Sequence, residues 1–96
     1  MDQTLEHLKS HFKAIGAEFV YNTSRYSNSE YLTIRYGEKR YVVRASSHPP
    51  TYHNRLNQDT SVRLRGKKVD FDLMAKRIYR KFGIQVPSGK ISEEML

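Results

Sequence analysis

Apolar residues near the start of the chain recur at helical spacing. They are Leu5, Leu8, Phe12 and Ile15, which follow one another at intervals of 3, 4 and 3 residues. This spacing draws one apolar stripe along a helix over residues 2–15. Asp2 or Thr4 is suited to cap its start, and Gly16 is suited to end it because glycine adopts the left-handed conformation found there.

The segment 31–48, YLTIRYGEKRYVVRASSH, alternates in the manner of two strands joined by a turn. Gly37 is the first residue of a two-residue turn, which favours a type II′ hairpin. The resulting register places Leu32, Ile34 and Tyr36 opposite Val43, Tyr41 and Lys39 on a buried face. The other face carries Tyr31, Thr33 and Arg35 opposite Arg44, Val42 and Arg40.

The rest of the chain predicts two more strands and a closing helix. Alternation over residues 17–22 indicates a short first strand, and residues 62–65 indicate another with Val62 and Leu64 inward and Arg63 and Arg65 outward. Residues 46–61 predict a long loop with two prolines. The stripe in FDLMAKRIYRKF, residues 71–82, predicts a helix that Gly83 ends.

These elements predict an α+β fold of order α-β-β-β-(β)-α. We expect an antiparallel sheet with two helices packed on one face. Because 96 residues provide material for one core, we expect a single domain over residues 1–86, followed by a weakly ordered tail at 87–96. The free edges of a small sheet would also allow a homodimer.

Positive charge is concentrated in the middle of the chain. Lys and Arg number 17 against 10 Asp and Glu, and residues 25–81 hold 14 basic and 5 acidic residues, a net charge of +9. Such a concentration indicates a polyanionic partner, since each neutralised phosphate releases condensed counterions. Solubility or an acidic protein partner would account for the same excess.

Several classes of protein are disfavoured. The chain has no cysteine, which excludes disulfides and thiolate chemistry. Neither a signal peptide nor a membrane span is indicated, so we expect an intracellular, cytoplasmic protein without membrane contact. We expect no cofactor, since no glycine-rich phosphate loop is present, and no metal, since His7 and His11 lack a third ligand and should lie at a solvated helix edge.

Arginines and tyrosines interleave on the outward side of the predicted sheet, and this pattern predicts a nucleic-acid interface. Phosphate contacts of this kind position a ligand without reading its sequence, and an exposed tyrosine can stack on a base. Arg35 and Arg40 repel each other across the ladder unless an anion, or a carboxylate such as Glu38 or Glu30, neutralises them. The predicted interface comprises Tyr31, Arg35, Arg40, Arg44, Tyr52, Arg55, Arg63, Arg65, Lys67 and Lys68.

A catalytic alternative rests on the proline-containing loop. His48 and His53, with Arg44 or Arg55 as the cation, provide a base, an acid and charge stabilisation for metal-independent RNA cleavage. No spacing rule makes this arrangement diagnostic, and the same histidines would serve equally to contact a partner or cover the core.

The order of helix, three or four strands and helix over residues 4–84 resembles the double-stranded RNA-binding domain and the HicA-type toxins. The resemblance is carried by GAEFV, YLTIRYGEKRYVVRASSHPP and IYRKFGI. It does not extend to the motifs that carry activity. HicA proteins place a Gly-Ser-His where this chain has residues 27–30, SNSE, and the RNA-binding domain's third lysine is absent after Lys67 and Lys68.

The hairpin end VVRASSH, residues 42–48, is also similar to segments of small phage and mobile-element proteins, some of which inhibit host defence as anti-CRISPR proteins do. This resemblance implies an inhibitor that docks on an acidic or nucleic-acid-binding protein surface. The leading hypothesis remains a non-enzymatic nucleic-acid-binding protein, with RNA or a protein–RNA complex favoured over free DNA.

Overall fold

The computed structural model of the protein describes residues 1–49 and 59–93. Its elements follow the predicted order: α1 (Gln3–Lys13), β1 (Glu18–Thr23), β2 (Glu30–Tyr36), β3 (Lys39–Ser46), β4 (Thr60–Leu64) and α2 (Phe71–Phe82). The α+β class and the order α-β-β-β-β-α are therefore confirmed. The four strands form one sheet in the order β1-β2-β3-β4.

Both helices begin at an aspartate whose side chain accepts backbone hydrogen bonds. Asp2 accepts from the N–H groups of Thr4 and Leu5 at 2.9 and 3.3 Å, so Asp2 rather than Thr4 caps α1. Asp70 accepts from the Leu73 N–H at 3.1 Å at the start of α2. Gly83 ends α2 with a φ of 69°, as the sequence predicted.

The β2–β3 hairpin has the predicted register. Arg35 lies opposite Arg40, and Tyr36 lies opposite Lys39. Gly37 has a φ of 60°, which the first turn position of a type II′ hairpin requires and which glycine adopts without strain. The turn and the alternation together fix which side chains face the helices.

The β4 strand pairs with β3 in parallel, so the sheet is mostly antiparallel rather than wholly so. Ser61 and Arg63 lie opposite Val43 and Ala45, and therefore share the helix-facing side with them. The predicted orientation of this strand, with Val62 and Leu64 inward, was wrong. Ser61 is buried, and the Tyr41 hydroxyl satisfies its hydroxyl with a hydrogen bond.

A single core lies between the sheet and the helices, with α1 against β2 and α2 against β3. Its sheet side consists of buried apolar residues from the hairpin: Leu32, Ile34, Tyr41, Val43 and Ala45. The helices contribute aromatic rings, among which those of Phe12 and Phe82 pack edge to face with their centroids 6.2 Å apart. Tyr36 stacks on Phe82 at 5.6 Å and extends the core to the hairpin end.

Residues 84–93 continue beyond α2 along the helices. The sequence predicted weak order from residue 87 onward, whereas Ile91 is buried in the same core. Its N–H donates to Asp72 Oδ1 at 2.8 Å, and this hydrogen bond, followed by that from Lys76, holds the pKa of the Asp72 carboxyl below its usual range. The packed part of the domain thus extends beyond residue 86.

None of the helices in the described part of the chain has the length and apolar character needed to cross a membrane.

Candidate functional site

The face of the sheet opposite the helices, here called the open face, is assigned from the strand registers. It carries Glu18, Val20 and Asn22 from β1; Tyr31, Thr33 and Arg35 from β2; Arg40, Val42 and Arg44 from β3; and Thr60, Val62 and Leu64 from β4. Four of the predicted interface residues, namely Tyr31, Arg35, Arg40 and Arg44, are therefore on one face.

Arg35 and Arg40 are the exposed cations of this face. They lie directly opposite each other on β2 and β3. The Val42 N–H donates to the Asp59 carbonyl and so points away from β2, and the Arg40 N–H, two residues earlier on the same strand, points the same way. The arginines therefore form a non-hydrogen-bonded pair, whose Cα atoms are separated by about 4.5 Å.

Neither arginine is neutralised by a described carboxylate. Glu18 is the ladder partner of Arg35 on β1, but the two side chains form no ion pair. Like charges directly opposite each other destabilise a sheet by roughly 0.2–1 kcal/mol. The pair is thus a small structural cost that an external anion would remove.

Arg44 is held differently, by the hydroxyls of two fully buried serines. Its Nε and Nη2 donate to Ser29 Oγ, both at 3.3 Å, and Nη2 also donates to Ser46 Oγ at 3.2 Å. Its ladder partner Tyr31 is half-buried. These contacts orient the Arg44 guanidinium rather than leave it exposed.

Arg63 and Arg65 do not share the open face, contrary to their predicted outward orientation. Arg63 Nε donates to Thr4 Oγ1 at 3.2 Å and lies 3.7 Å from Asp2 Oδ1. Arg65 Nη2 donates to Glu30 Oε2 at 2.8 Å. Carboxylates from elsewhere in the chain neutralise both guanidinium groups, and the two arginines tie the end of β4 to the rest of the domain.

Glu30 is the centre of this internal network. Its Oε1 accepts the Asp2 N–H at 2.7 Å and the Tyr21 hydroxyl at 2.6 Å, while Oε2 accepts from Arg65. Burial acts to raise the pKa of the Glu30 carboxyl, but the hydrogen bonds from Tyr21, Arg65 and Asp2 outweigh it and hold the pKa below its usual value. The same hydrogen bond raises the pKa of Tyr21 to about 12.

Lys67 and Lys68 are exposed but lie far from the arginine pair. They follow β4, whose last residue Leu64 is the partner of Ser46 at the end of β3. Arg40 and Ser46 are separated by about 20 Å along β3, at about 3.3 Å per residue. The lysines and the arginine pair therefore lie toward opposite ends of the sheet, and the structure does not join them into the continuous surface that the sequence suggested.

The histidines of the catalytic alternative are only partly described. His48 is exposed just after β3, and its backbone N–H donates to Ser46 Oγ at 3.2 Å. The other predicted loop residues, Tyr52, His53 and Arg55, lie outside the described residues.

The two histidines of α1 lie in more buried surroundings than predicted. His7 is buried, with Nδ1 at 3.1 Å from Glu93 Oε1, because residues 87–93 cover this side of α1. His11 Nε2 forms a hydrogen bond of 2.7 Å with the Tyr79 hydroxyl, and burial lowers the pKa of His11. Within residues 1–49 and 59–93, no cluster of three potential metal ligands occurs.

Sequence reasoning missed two exposed side chains between β1 and β2. Arg25 is exposed, and Tyr26 is 97% exposed. The available signal was an aromatic residue next to an arginine in a turn-forming segment, but turn-rich composition indicates only a loop and not what the loop displays.

The chain matches no known family model, no curated protein and no solved structure.

Proposed function

We propose that this chain is a small, non-enzymatic nucleic-acid-binding protein, with RNA or a protein–RNA complex as the favoured partner. The observation that carries the proposal is the Arg35–Arg40 pair, two exposed guanidinium groups side by side with no ion pair to any described residue. Guanidinium groups bind phosphate oxygens in a bidentate manner and remain charged at every physiological pH.

The distribution of internal ion pairs supports the proposal. Carboxylates pair with Arg63, Arg65, Lys76 and Lys81. These four neutral pairs leave 13 of the 17 basic and 6 of the 10 acidic residues, so the rest of the chain still carries the net charge of +7. An excess of exposed positive charge attracts a polyanion and accelerates its association.

Phosphate capture at this pair has a simple mechanism. A strand of nucleic acid that crosses the hairpin end places neighbouring phosphates on Arg35 and Arg40, and releases the counterions condensed on them. The mutual repulsion of the arginines ends when the anion is bound. Such contacts fix position without reading sequence, so we expect weak sequence preference.

The test compares two double variants with the same loss of charge. R35Q/R40Q removes the open-face pair, whereas R77Q/R80Q removes two exposed arginines from α2. Exposed charge contacts contribute roughly 0.2–1 kcal/mol each, and the loss of two should weaken RNA binding about tenfold. R77Q/R80Q should lose much less RNA affinity than R35Q/R40Q.

The measurement is the affinity of each protein for fluorescently labelled RNA, single-stranded and duplex, at low salt, with circular dichroism to verify the fold. Equal losses in both variants would show that charge acts diffusely. A wild-type protein that binds no RNA at low salt refutes the proposal. If it instead captures one acidic protein after nuclease treatment, the inhibitor hypothesis replaces it.

A further inference from the structure

The β1–β2 loop, residues 24–29, displays a tyrosine almost fully to solvent. Tyr26 is 97% exposed, and no described residue contacts it through a hydrogen bond or a ring. Its neighbour Arg25 is likewise exposed and unpaired within the described part of the chain. A tyrosine normally buries much of its ring, so a ring held entirely in water is unusual.

The loop itself is well defined by hydrogen bonds. The Ser24 N–H donates to the Ser29 carbonyl at 2.8 Å, and the Ser27 hydroxyl donates to Ser29 Oγ at 3.1 Å. Arg65 Nη1 donates to the Asn28 carbonyl at 2.7 Å, which ties the loop to the end of β4. Asn28 supplies the left-handed residue, with a φ of 52°.

These contacts hold the backbone on both sides of Tyr26 while leaving the side chain free. A ring on a fixed backbone has only two side-chain torsions to order when it binds a flat partner, so the entropic cost of stacking is small. The loop thus combines an ordered support with an unoccupied aromatic surface.

The electrostatic surroundings favour an anionic ligand. Residues 24–29, SRYSNS, contain Arg25 and no acidic residue. Glu30, the carboxylate next along the chain, already accepts hydrogen bonds from Arg65, Tyr21 and the Asp2 backbone. Arg25 is therefore the charged group of the loop that is available to an external ligand.

We infer that Tyr26 is a stacking platform for an unpaired nucleobase and that Arg25 binds the adjacent phosphate. A base can stack on a side chain in this way only when it is free of its own neighbours, so the ligand is single-stranded nucleic acid. This inference rests on the proposed function and specifies its substrate class.

The separation of the loop from the arginine pair sets a minimum ligand length. Glu30 follows the loop and begins β2, and Arg35 lies five residues farther along the same strand. At the rise per residue of a strand, the two residues are about 17 Å apart. A strand that contacts both Tyr26 and the pair must therefore extend over several nucleotides. For comparison, one OB fold, a common single-strand binding fold, covers about 4–16 nucleotides.

The test uses two probes, a twelve-nucleotide oligouridylate and inorganic polyphosphate, which offers phosphates without bases. Y26A should bind the oligonucleotide about tenfold more weakly than wild type, since one base–aromatic stack contributes about this factor. Its affinity for polyphosphate should be unchanged, because no ring contacts that probe. Y26F should retain oligonucleotide affinity.

Leu73 provides the matched control, because it is 46% exposed on α2 and its truncation removes exposed apolar surface elsewhere. L73A should bind both probes as wild type does. If wild type binds the oligonucleotide and Y26A binds it equally well, or if Y26A loses both probes alike, the stacking inference fails while phosphate capture stands. If the wild-type protein binds neither probe, the proposed nucleic-acid-binding function is refuted, and the stacking inference that rests on it is refuted with it.

Discussion

Replacing Glu30 with glutamine should destabilise the fold by about 2 kcal/mol at pH 7. Glu30 connects four parts of the domain through hydrogen bonds of 2.6–2.8 Å to Asp2, Tyr21 and Arg65. Glutamine is nearly isosteric but uncharged. Arg65 would lose its ion pair, and the other two bonds would become neutral ones of about half the strength.

The magnitude follows from the exposure of the pair. The side chains of Arg65 and Glu30 are 27% and 15% exposed, between a surface pair and a buried one. We assign about 1 kcal/mol to the lost ion pair, and about 0.5 kcal/mol to each of the two weakened hydrogen bonds.

The pH dependence has a definite sign. The pKa of Glu30 is lower in the folded protein than its ordinary value of about 4.3. Its contribution is therefore fully present above that ordinary value and is lost as the pH falls through the folded pKa. The stability difference between wild type and Glu30→Gln should shrink as the pH is lowered from 5 toward 3.

The assay is urea unfolding followed by circular dichroism across this pH range. Glu38→Gln is the matched control, because Glu38 is exposed in the hairpin turn and forms no ion pair with the described residues. We expect that control to differ from wild type by less than about 0.5 kcal/mol. A cost for Glu30→Gln as small as the control's, or one that does not decrease toward pH 3, would refute the assigned network.

Two further predictions concern the same domain. In an ultraviolet titration, the Tyr21 phenol should ionise near a pKa of about 12, because its hydrogen bond to Glu30 raises that pKa. Glu30→Gln should bring the pKa of Tyr21 down toward about 10. An unchanged titration in this variant would contradict the hydrogen bond between Tyr21 and Glu30. Ile91→Ala should lower the free energy of unfolding by about 2 kcal/mol. This value is at the lower end for a buried isoleucine, because a segment near the end of the described chain relaxes around the cavity. If the loss is no larger than that of Gln85→Ala, at an exposed position, residues 87–93 are not part of the core.

Local signals specified the hairpin and the helices. Gly37 sets the turn, and once the turn is placed, the alternation of Leu32 and Ile34 leaves one register in which both are buried. The caps Asp2 and Asp70 act within three residues of themselves, so they too are visible in the sequence. These elements needed no information from distant parts of the chain.

The orientation of β4 depends on distant partners and was missed for that reason. Arg63 faces the helices, where its guanidinium donates to the Thr4 hydroxyl and forms an ion pair with Asp2. Both partners are 59 or more residues away in the chain. The alternation of apolar and polar residues alone favours Val62 and Leu64 as the buried pair. It does not reveal that a polar residue such as Arg63 has hydrogen-bonding partners far away in the chain. His7 is a similar case, since it is buried by the segment that contains Glu93 rather than by its own helix.

The candidate site was predicted in part for the same reasons. Arg35 and Arg40 belong to the hairpin, and the structure leaves them exposed on the predicted face. Arg65 was assigned to the same surface, but its carboxylate partner Glu30 is 35 residues away in the chain. Tyr26 carries no periodic signal, and its exposure becomes apparent only in the folded loop.

The salt dependence of RNA affinity tests the phosphate-capture proposal most directly. Each phosphate contact contributes about 0.7 to the slope of log affinity against log salt for single strands. R35Q/R40Q should therefore have a slope shallower than wild type by about 1.4, whereas R77Q/R80Q should remain within about 0.5 of wild type. An unchanged slope in R35Q/R40Q would contradict the account, because the open-face arginines would then bind no phosphate.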